Sequence, residues 1–253
     1  MHIFEDLNMK QYRAYLFDLY GTLVDIHTDE GKPAFWKTVA AYYTAHGAAY
    51  GSTELRASYE QLCDAETKRL QVLFPGAEIE IDLSGVFRGL YTAKGRFPDP
   101  ALLSDTAWAF RRASTSHLRP YAGAGELLDA LRKAGKTVIL LSNAQSCFTR
   151  PELEMLGLLD GFDRVCISSE AGFRKPDPRF IAVPLKELGL DPADCLMIGN
   201  DPACDIGGAA AVGMDAVYLR SGLSPRSAPA LLPNAVYSFS RMDLRKLKRL
   251  LLE

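Results

Sequence analysis

Polar side chains that can do chemistry follow four apolar runs of the sequence. They are Asp18, Tyr20 and Thr22 after YRAYLF, Ser142 and Asn143 after TVILL, Lys175 after DRVCISS, and Asn200, Asp201 and Asp205 after CLMIG. Carboxylates, small hydroxyl and amide groups and a lysine are the components of a site that binds and transforms a small polar substrate. The spacing therefore raises the question of whether the fold brings these groups together.

The four runs are short, apolar and partly β-branched, and helical stretches punctuated by Gly and Pro lie between the later ones. This alternation, which continues to DAVYL at 215–219, is typical of parallel strands joined by crossover helices. Ligands of open parallel sheets bind outside the carboxyl ends of the strands. The polar residues are therefore predicted to lie at one edge of a sheet, although each one alone could equally cap a helix or form a turn.

The interval from about residue 32 to residue 117 has a different character. It is rich in Ala and aromatic residues at helical spacing, with turns near 74–76 and 97–100. This pattern predicts an all-helical insertion. We therefore predict a core formed by residues 1–28 and 118–253 and a helical subdomain at 29–117. The final segment, RMDLRKLKRLLLE, has the pattern of an amphipathic helix docked on the core.

The composition limits what the protein can bind. Of its 253 residues 48% are apolar, which suffices for a large core, and 29 basic against 31 acidic side chains give a formal charge of −2. Such a balance provides no field for holding nucleic acid or an anionic membrane, so we expect a small-molecule substrate. The oligomeric state is not indicated by the sequence.

The cysteines and the first residues indicate where the protein works. The five cysteines form no C-x-x-C pair, which argues against a disulfide framework or a zinc site and for reduced thiols. The segment MHIFEDLNMKQYR is charged too early for a signal peptide, and no apolar run reaches transmembrane length. We therefore expect a cytoplasmic protein.

The sequence resembles the haloacid dehalogenase superfamily of hydrolases in four motifs. They are FDLYGTLVD, LLSNA, the lysine of RKPDPRF, and IGNDPACDIGGAAAVGM. The resemblance runs from about Tyr12 to Leu219, and the insertion after the first motif is similar to the helical cap of that family. It implies an α/β fold with a three-layer, Rossmann-like core, a mostly parallel sheet and an inserted all-helical cap.

The resemblance also implies a role for each motif. Asp18 would be the nucleophile, and an aspartate can form a covalent intermediate that water then cleaves. Thr22 would position the turn of the nucleophile, and Ser142 and Asn143 would hold the oxygens of the transferred group. Lys175 would orient Asp18 and offset charge that develops during transfer.

Phosphatases of this family commonly bind Mg²⁺, and the resemblance places that site here too. The expected ligands are Asp18, the backbone carbonyl of Tyr20 and an acidic residue of the fourth motif. The spacing leaves Asn200 and Asp201 as alternatives for that position. We choose Asp201 and assign Asp205 to the same metal site as a group that supports it or binds through water.

Tyr20 departs from the pattern of the phosphatases, most of which have a second Asp at this position as general acid and base. L-2-haloacid dehalogenases resemble this chain in having Tyr there. A halide leaves without a proton, so the first motif favours hydrolysis of a carbon–halogen bond. In that case a cap arginine should hold the substrate carboxylate, and Arg56, Arg69 and Arg88 are available.

The fourth motif favours a metal instead. Dehalogenases of the family work without metal and have Ser and Asn where this chain has Asn200 and Asp201. Clustering Asp18, Asp201 and Asp205 with mainly Lys175 as counter-charge leaves a net negative site, which a divalent cation would neutralise. We therefore predict a Mg²⁺-dependent phosphohydrolase of a small metabolite. A metal-free 2-haloacid dehalogenase and a non-catalytic binding member of the family are the alternatives.

Overall fold

The computed structural model describes residues 10–252, and the predictions for residues 1–9 and 253 lie outside this range. Short strands form wherever apolar runs occur. Their bounds are β1 Ala14–Phe17, β2 Val24–Thr28, β3 Thr115–Pro120, β4 Thr137–Ser142, β5 Arg164–Ile167, β6 Cys195–Gly199, β7 Asp215–Leu219 and β8 Tyr237–Phe239.

Six of the strands form a parallel sheet in the order β5-β4-β1-β6-β7-β8. This confirms the predicted α/β, Rossmann-like core, and the five runs read from the sequence are β1, β4, β5, β6 and β7. The sequence analysis missed β8, which has three residues and follows a segment rich in Ser and Pro. Such a segment gives no strand signal, so β8 depends on pairing with β7.

Helices cover the sheet and fill the insertion. Their bounds are α1 Pro33–Ala45, α2 Ser52–Leu73, α3 Leu83–Thr92, α4 Pro100–Ser114, α5 Ala124–Lys133, α6 Ser146–Met155, α7 Ser168–Ala171, α8 Pro178–Leu188, α9 Gly208–Ala211 and α10 Leu244–Leu252. Short 3₁₀ turns lie at Leu159–Gly161 and Pro192–Asp194, and a π-helical turn at Pro202–Gly207 leads into α9. The predicted amphipathic terminal helix is α10, which buries its leucines.

The central strand shows why the sheet needs two covering layers. Successive side chains of a strand point to opposite faces. Tyr15 and Phe17 therefore pack into one buried cluster, which includes leucines of α5 and α10, while Ala14 and Leu16 pack into the other, which includes α8. Full burial of a large apolar side chain contributes about 1.5–3 kcal/mol, so both faces stabilise the core.

The insertion is helical, as the sequence predicted. Helices α1 to α4 lie between β2 and β3, which pair as an antiparallel ribbon. The α4 helix begins at Pro100, directly after Asp99. Asp99 caps the helix by accepting a hydrogen bond from the Leu102 N–H at 2.8 Å, and proline suits the first helical position because its missing N–H would have no partner there. The ribbon reaches Pro120, so the predicted boundary at residue 117 falls inside β3. The division into two domains stays a prediction.

Aromatic side chains form the core of this helical cap and join it to the main sheet. Phe35 and Trp36 are buried against Phe110, and the Phe110 ring is stacked on Phe148 of α6 with centroids 6.1 Å apart. Because α6 follows β4, this aromatic cluster continues into the helices that cover the main sheet.

No helix within residues 10–252 is long and apolar enough to cross a membrane.

Candidate active site

The sheet brings most of the predicted residues to one edge. Asp18 directly follows β1 and its N–H donates to the Ile198 carbonyl of β6 at 3.0 Å, so the nucleophile candidate continues the sheet ladder. Ser142 is the last residue of β4, and Asn200 follows β6. The prediction that these strand ends converge is confirmed.

Lys175 is the centre of the charge network at this edge. Its ammonium group is buried and donates to Asp18 Oδ1 at 2.8 Å, to Asp205 Oδ1 at 2.7 Å and to the Leu141 carbonyl at 2.7 Å. All three protons therefore have acceptors. Burial alone would lower the pKa of Lys175, but the two carboxylates outweigh it and raise that pKa, so the side chain stays charged.

Asn143 positions Lys175. Its Oδ1 accepts from the Lys175 N–H at 2.7 Å, and its Nδ2 donates to the Lys175 carbonyl at 2.9 Å. The Asn143 side chain is thereby engaged with the lysine backbone, whereas we had expected it to hold substrate oxygens. Ser142 is different, because its hydroxyl is buried and has no hydrogen-bond partner among the described residues. Ser142 does not line either of the cavities at this edge, so its role in holding oxygens of a transferred group stays a prediction.

The carboxylates of the fourth motif are engaged within the protein. Asp201 Oδ1 caps the π-helical turn by accepting from the N–H groups of Ala203 and Cys204, both at 2.8 Å. Asp205 uses Oδ1 for Lys175 and Oδ2 for the Asp201 N–H at 2.9 Å. Burial, with the charge of Asp18, raises the pKa of Asp205 although Lys175 opposes this. Because both of its oxygens are occupied, Asp205 is not placed to ligate a metal directly, and its role as a supporting or water-mediated group of the metal site stays a prediction.

Asn200, rather than Asp201, lies against Asp18. In one orientation of the Asn200 amide, its oxygen faces Asp18 Oδ2 and the Tyr20 carbonyl oxygen at 3.3 Å. In the other orientation its nitrogen takes that place and donates to both oxygens. Gly21 permits this approach, since a Cβ there would lie 2.4 Å from the amide and its φ is +91°.

Without a cation, the hydrogen bonds of the site favour the second orientation. A bound Mg²⁺, which prefers oxygen ligands, would instead require the Asn200 oxygen to face Asp18 and the Tyr20 carbonyl. Within residues 10–252 no group of three or more His, Cys, Asp or Glu side chains could hold a metal ion. Amide and carbonyl oxygens would therefore complete the ligand set of Asp18, Tyr20 and Asn200.

Thr22 supports the nucleophile as predicted, and Tyr20 is engaged elsewhere. The Thr22 hydroxyl lies 3.2 Å from Asp18 Oδ2 and can donate to it. The Tyr20 hydroxyl donates to Glu152 of α6 and lies 3.0 Å from Thr149 Oγ1. Burial and the charge of Glu152 raise the pKa of Tyr20, so the phenol stays protonated and its proton is committed.

Changing Tyr20 to phenylalanine should therefore leave the leaving-group dependence of the reaction unchanged. We expect the rate to fall steeply with leaving-group pKa in both proteins, because neither has an acid at this position. The variant should lose about 1.5–3 kcal/mol of stability, because the lost hydrogen bond goes to the buried Glu152 carboxylate. The check is kcat/KM across a series of aryl and alkyl phosphates. A selective loss of alkyl ester hydrolysis in Tyr20→Phe would identify the phenol as the acid.

Two adjoining cavities lie at the carboxyl ends of the strands. The nucleophile cavity, about 170 Å³, is lined by Asp18, Lys175 and Asn200 among others. The outer cavity, about 420 Å³, extends beneath the cap and is lined by residues that include Glu30 and Arg111. They share lining residues, namely Tyr20, Asn143 and Leu223. A substrate can therefore place its reacting group at Asp18 and the remainder under the cap.

The cap contacts the loop that carries Lys175. Ile79 forms an antiparallel bridge with Phe173. On either side of it the Arg174 N–H donates to the Glu78 carbonyl at 2.9 Å and the Glu80 N–H donates to the Gly172 carbonyl at 3.1 Å. The Glu80 carboxylate also accepts from Ser168 and from Gln145 of the core. This cap segment, residues 78–80, is thus tied by backbone hydrogen bonds to the loop that carries Lys175.

Sequence analysis missed the charged residues of the outer cavity. Arg56 and Arg69 form exposed ion pairs on α2 with Glu60 and Glu66, and Arg88 lines a different cavity. The arginine of the outer cavity is Arg111, at the end of α4, with its guanidinium 5.4 Å from the Tyr20 ring and 5.2 Å from the Phe148 ring. The signal in the sequence that could have identified Arg111 is its position at the end of the insertion, just before the chain returns to the core.

Comparison with known proteins places the chain among hydrolases. Residues 12–213 match the family model described as haloacid dehalogenase-like hydrolase. A phosphoserine phosphatase of Thermus thermophilus is 34% identical over 145 residues, which are 57% of each chain. An (S)-2-haloacid dehalogenase 4A of Burkholderia cepacia is 26% identical over 241 residues, 91% of this chain and 93% of that one. The match thus spans little more than half of that phosphatase.

A solved structure with the same fold is a 2-haloacid dehalogenase from Pseudomonas syringae pv. Tomato. It has a TM-score of 0.64 and 20% identity, and the alignment covers 95% of this chain and 98% of that one. At this identity the likeness concerns the fold, including both the sheet and the helical insertion.

Proposed function

Because the chain belongs to the haloacid dehalogenase-like hydrolases, we propose that it is a Mg²⁺-dependent phosphohydrolase of a small phosphorylated metabolite. The observation that carries the proposal is the Asp18 carboxylate, which is held by Lys175 and lines one cavity together with Tyr20 and Asn200, residues that can offer oxygen ligands to a cation. Similarity to phosphatases in the matched region supports it. The reaction would use an aspartyl-phosphate intermediate.

In the first step the Asp18 carboxylate attacks phosphorus. A bond forms between an Asp18 oxygen and phosphorus, and the ester bond breaks with its electron pair leaving on the alcohol oxygen. Lys175 holds Asp18 Oδ1 and contributes positive charge, and the unpartnered Ser142 hydroxyl donates to a phosphoryl oxygen. In the second step water attacks phosphorus and releases phosphate and the Asp18 carboxylate.

A bound Mg²⁺ would be held by Asp18, the Tyr20 carbonyl and Asn200, and it would supply charge neutralisation for the phosphoryl group. Since the Tyr20 proton is committed to Glu152, the departing oxygen receives no proton from this residue. Aryl and acyl phosphates, whose leaving groups have low pKa values, should therefore be the best substrates.

Metal-free hydrolysis of a 2-haloacid is the second candidate. In the second amide orientation, Asn200 satisfies Asp18 Oδ2 and the Tyr20 carbonyl without a cation. Asp18 would then form an ester bond to carbon while halide leaves with the bonding pair, and water would cleave the ester. The dehalogenase match over nine-tenths of both chains favours this candidate. The orientation of one amide thus corresponds to one function or the other.

Hydrolysis assays with Mg²⁺ and with EDTA separate the candidates. The proposal expects release of p-nitrophenol from p-nitrophenyl phosphate with Mg²⁺, its loss with EDTA, and no chloride release from 2-chloropropionate. Chloride release that is insensitive to EDTA would overturn the proposal in favour of the second candidate. Failure with both substrates would indicate a non-catalytic binding protein.

Metal binding should also appear as thermal stabilisation, and it should depend on Asn200. Mg²⁺ at 100 times its Kd stabilises the folded protein by about 2.7 kcal/mol, so the melting temperature of the wild type should rise on titration. Asn200→Ala should remove most of this rise. Asp201→Ala should lower the melting temperature without metal, because a helix cap is lost, but keep the rise. The reverse result would return the ligand role to Asp201.

A further inference from the structure

Arg111 lines the outer cavity and is paired with Glu152, a buried residue that does not line it. Arg111 Nε donates to Glu152 Oε1 at 2.6 Å and Arg111 Nη2 donates to Glu152 Oε2 at 3.2 Å. The two side chains are 12% and 1% exposed. A bidentate pair of this kind fixes the guanidinium and cancels its charge locally. Arg111 therefore gives the cavity little net attraction for an anionic substituent.

Glu30 is the acid in this cavity without a partner. It lies between β2 and α1, is half-buried, and has no hydrogen bond or ion pair with any residue in the described part of the chain. Burial raises the pKa of Glu30, and Arg111 partly offsets this. A carboxylate at the wall of a cavity, without a donor from the protein, can accept a hydrogen bond from a ligand without breaking one within the protein.

We propose that Glu30 determines specificity by accepting a hydrogen bond from an ammonium group on the leaving alcohol, so that phosphate esters of amino alcohols are preferred over those of hydroxy acids. This inference rests on the proposed phosphohydrolase function. The excess charge of the outer cavity is that of Glu30, since Arg111 and Glu152 cancel each other. An ammonium group is therefore attracted and a carboxylate is repelled.

The shape of the cavities agrees with a small amino alcohol. The nucleophile cavity and the outer cavity adjoin, since Tyr20, Asn143 and Leu223 line both, so a phosphate at Asp18 leaves a short alcohol beside the outer cavity. Ile26 and Phe148 are largely buried and give the outer cavity apolar walls. An ion pair formed there is screened less than one on the surface.

The test compares three two-carbon phosphate monoesters whose alcohol part carries a charge of +1, 0 or −1, namely phosphoethanolamine, ethyl phosphate and phosphoglycolate. In Glu30→Gln the ratio of kcat/KM for phosphoethanolamine to that for phosphoglycolate should fall at least tenfold from the wild-type ratio. Ethyl phosphate should change less than threefold. Comparing ratios between variants cancels differences in leaving-group pKa. The control is Asp29→Asn, the neighbouring acid, which pairs with Lys32 and should keep the ratio.

The same ratio should rise with pH as Glu30 ionises. The other titratable groups facing it are Arg111 on α4 and Tyr59 and Cys63 on α2. Burial raises the pKa of Cys63 to about 11 and raises that of Tyr59, so neither ionises near neutral pH. Ionisation of the phosphate itself affects all three esters alike. The rise should be absent in Glu30→Gln.

Two outcomes would overturn the inference. One is an unchanged ratio in Glu30→Gln. The other is a wild-type preference for phosphoglycolate that disappears in Arg111→Gln, which would make Arg111 an anion reader. If no ester is hydrolysed, the proposed function fails separately, and calorimetric Kd values for phosphoethanolamine and phosphoglycolate in the Asp18→Asn background decide the inference. Equal changes in both Kd values on Glu30→Gln would then contradict it.

Discussion

Replacement of Asp18 with asparagine is expected to lower kcat by a factor on the order of 10⁴ or more. The Asp18 carboxylate forms the covalent bond in both candidate reactions, and an amide is a poor nucleophile. The fold should persist, because the amide oxygen can still accept from Lys175 and one negative charge near Asp205 is removed. Single-turnover assays with p-nitrophenyl phosphate, together with a melting curve, check both parts.

The matched control is Asp129→Asn, which makes the same chemical change on an exposed face of α5. Its kcat and melting temperature should equal those of the wild type. Near wild-type turnover by Asp18→Asn would rule out both covalent mechanisms at once.

Replacement of Lys175 with methionine should abolish activity and destabilise the protein by about 3–5 kcal/mol near pH 8. It leaves the Asp18 and Asp205 carboxylates buried without their shared cation. Burial already raises the pKa of Asp205, and without Lys175 that pKa should lie further above its value in the unfolded chain. The destabilisation is then present above this pKa and is relieved as pH falls through it, so it should be smaller near pH 5. Urea unfolding at the two pH values measures the difference.

Two further variants separate this effect from simple loss of a lysine. Lys94→Met removes an exposed ion pair with Glu54 and should change stability little at either pH. The double variant Lys175→Met with Asp205→Asn should recover part of the stability but none of the activity. A Lys175→Met protein as stable as the wild type near pH 8 would contradict the buried network.

The sheet was predictable from sequence because its strands are buried on both faces. Runs such as TVILL and CLMIG are almost continuously apolar because helices cover both faces of these strands, so the side chains on both faces are buried. The positions of Asp18, Ser142 and Asn200 then follow from the rule that strand ends meet at one edge. β8 was not predictable, because three residues with a mixed pattern adopt a strand only through pairing with a neighbour.

The partners within the site could not be read from the sequence. The spacing of Asp201 and Asp205 permits a metal ligand, a helix cap or a lysine partner, and the choice depends on backbone direction after β6. Arg111 and Glu152 are 41 residues apart and belong to different layers, so their pairing with Tyr20 is a tertiary contact without a local signal. The proposed role of Glu30 in specificity also has no local signal, because it depends on the absence of a hydrogen-bond or ion-pair partner among the described residues.

Backbone hydrogen bonds join the cap segment at residues 78–80 to the loop before Lys175. This contact should affect the turnover rate of bulky substrates. Every large molecule that holds the cap away from the core must also break the hydrogen bonds at Glu78 and Glu80. It thereby loosens the loop on which the catalytic ammonium group depends. Oversized compounds would then bind as unreactive ligands, so discrimination by size would appear as a fall in kcat, while KM would report affinity alone.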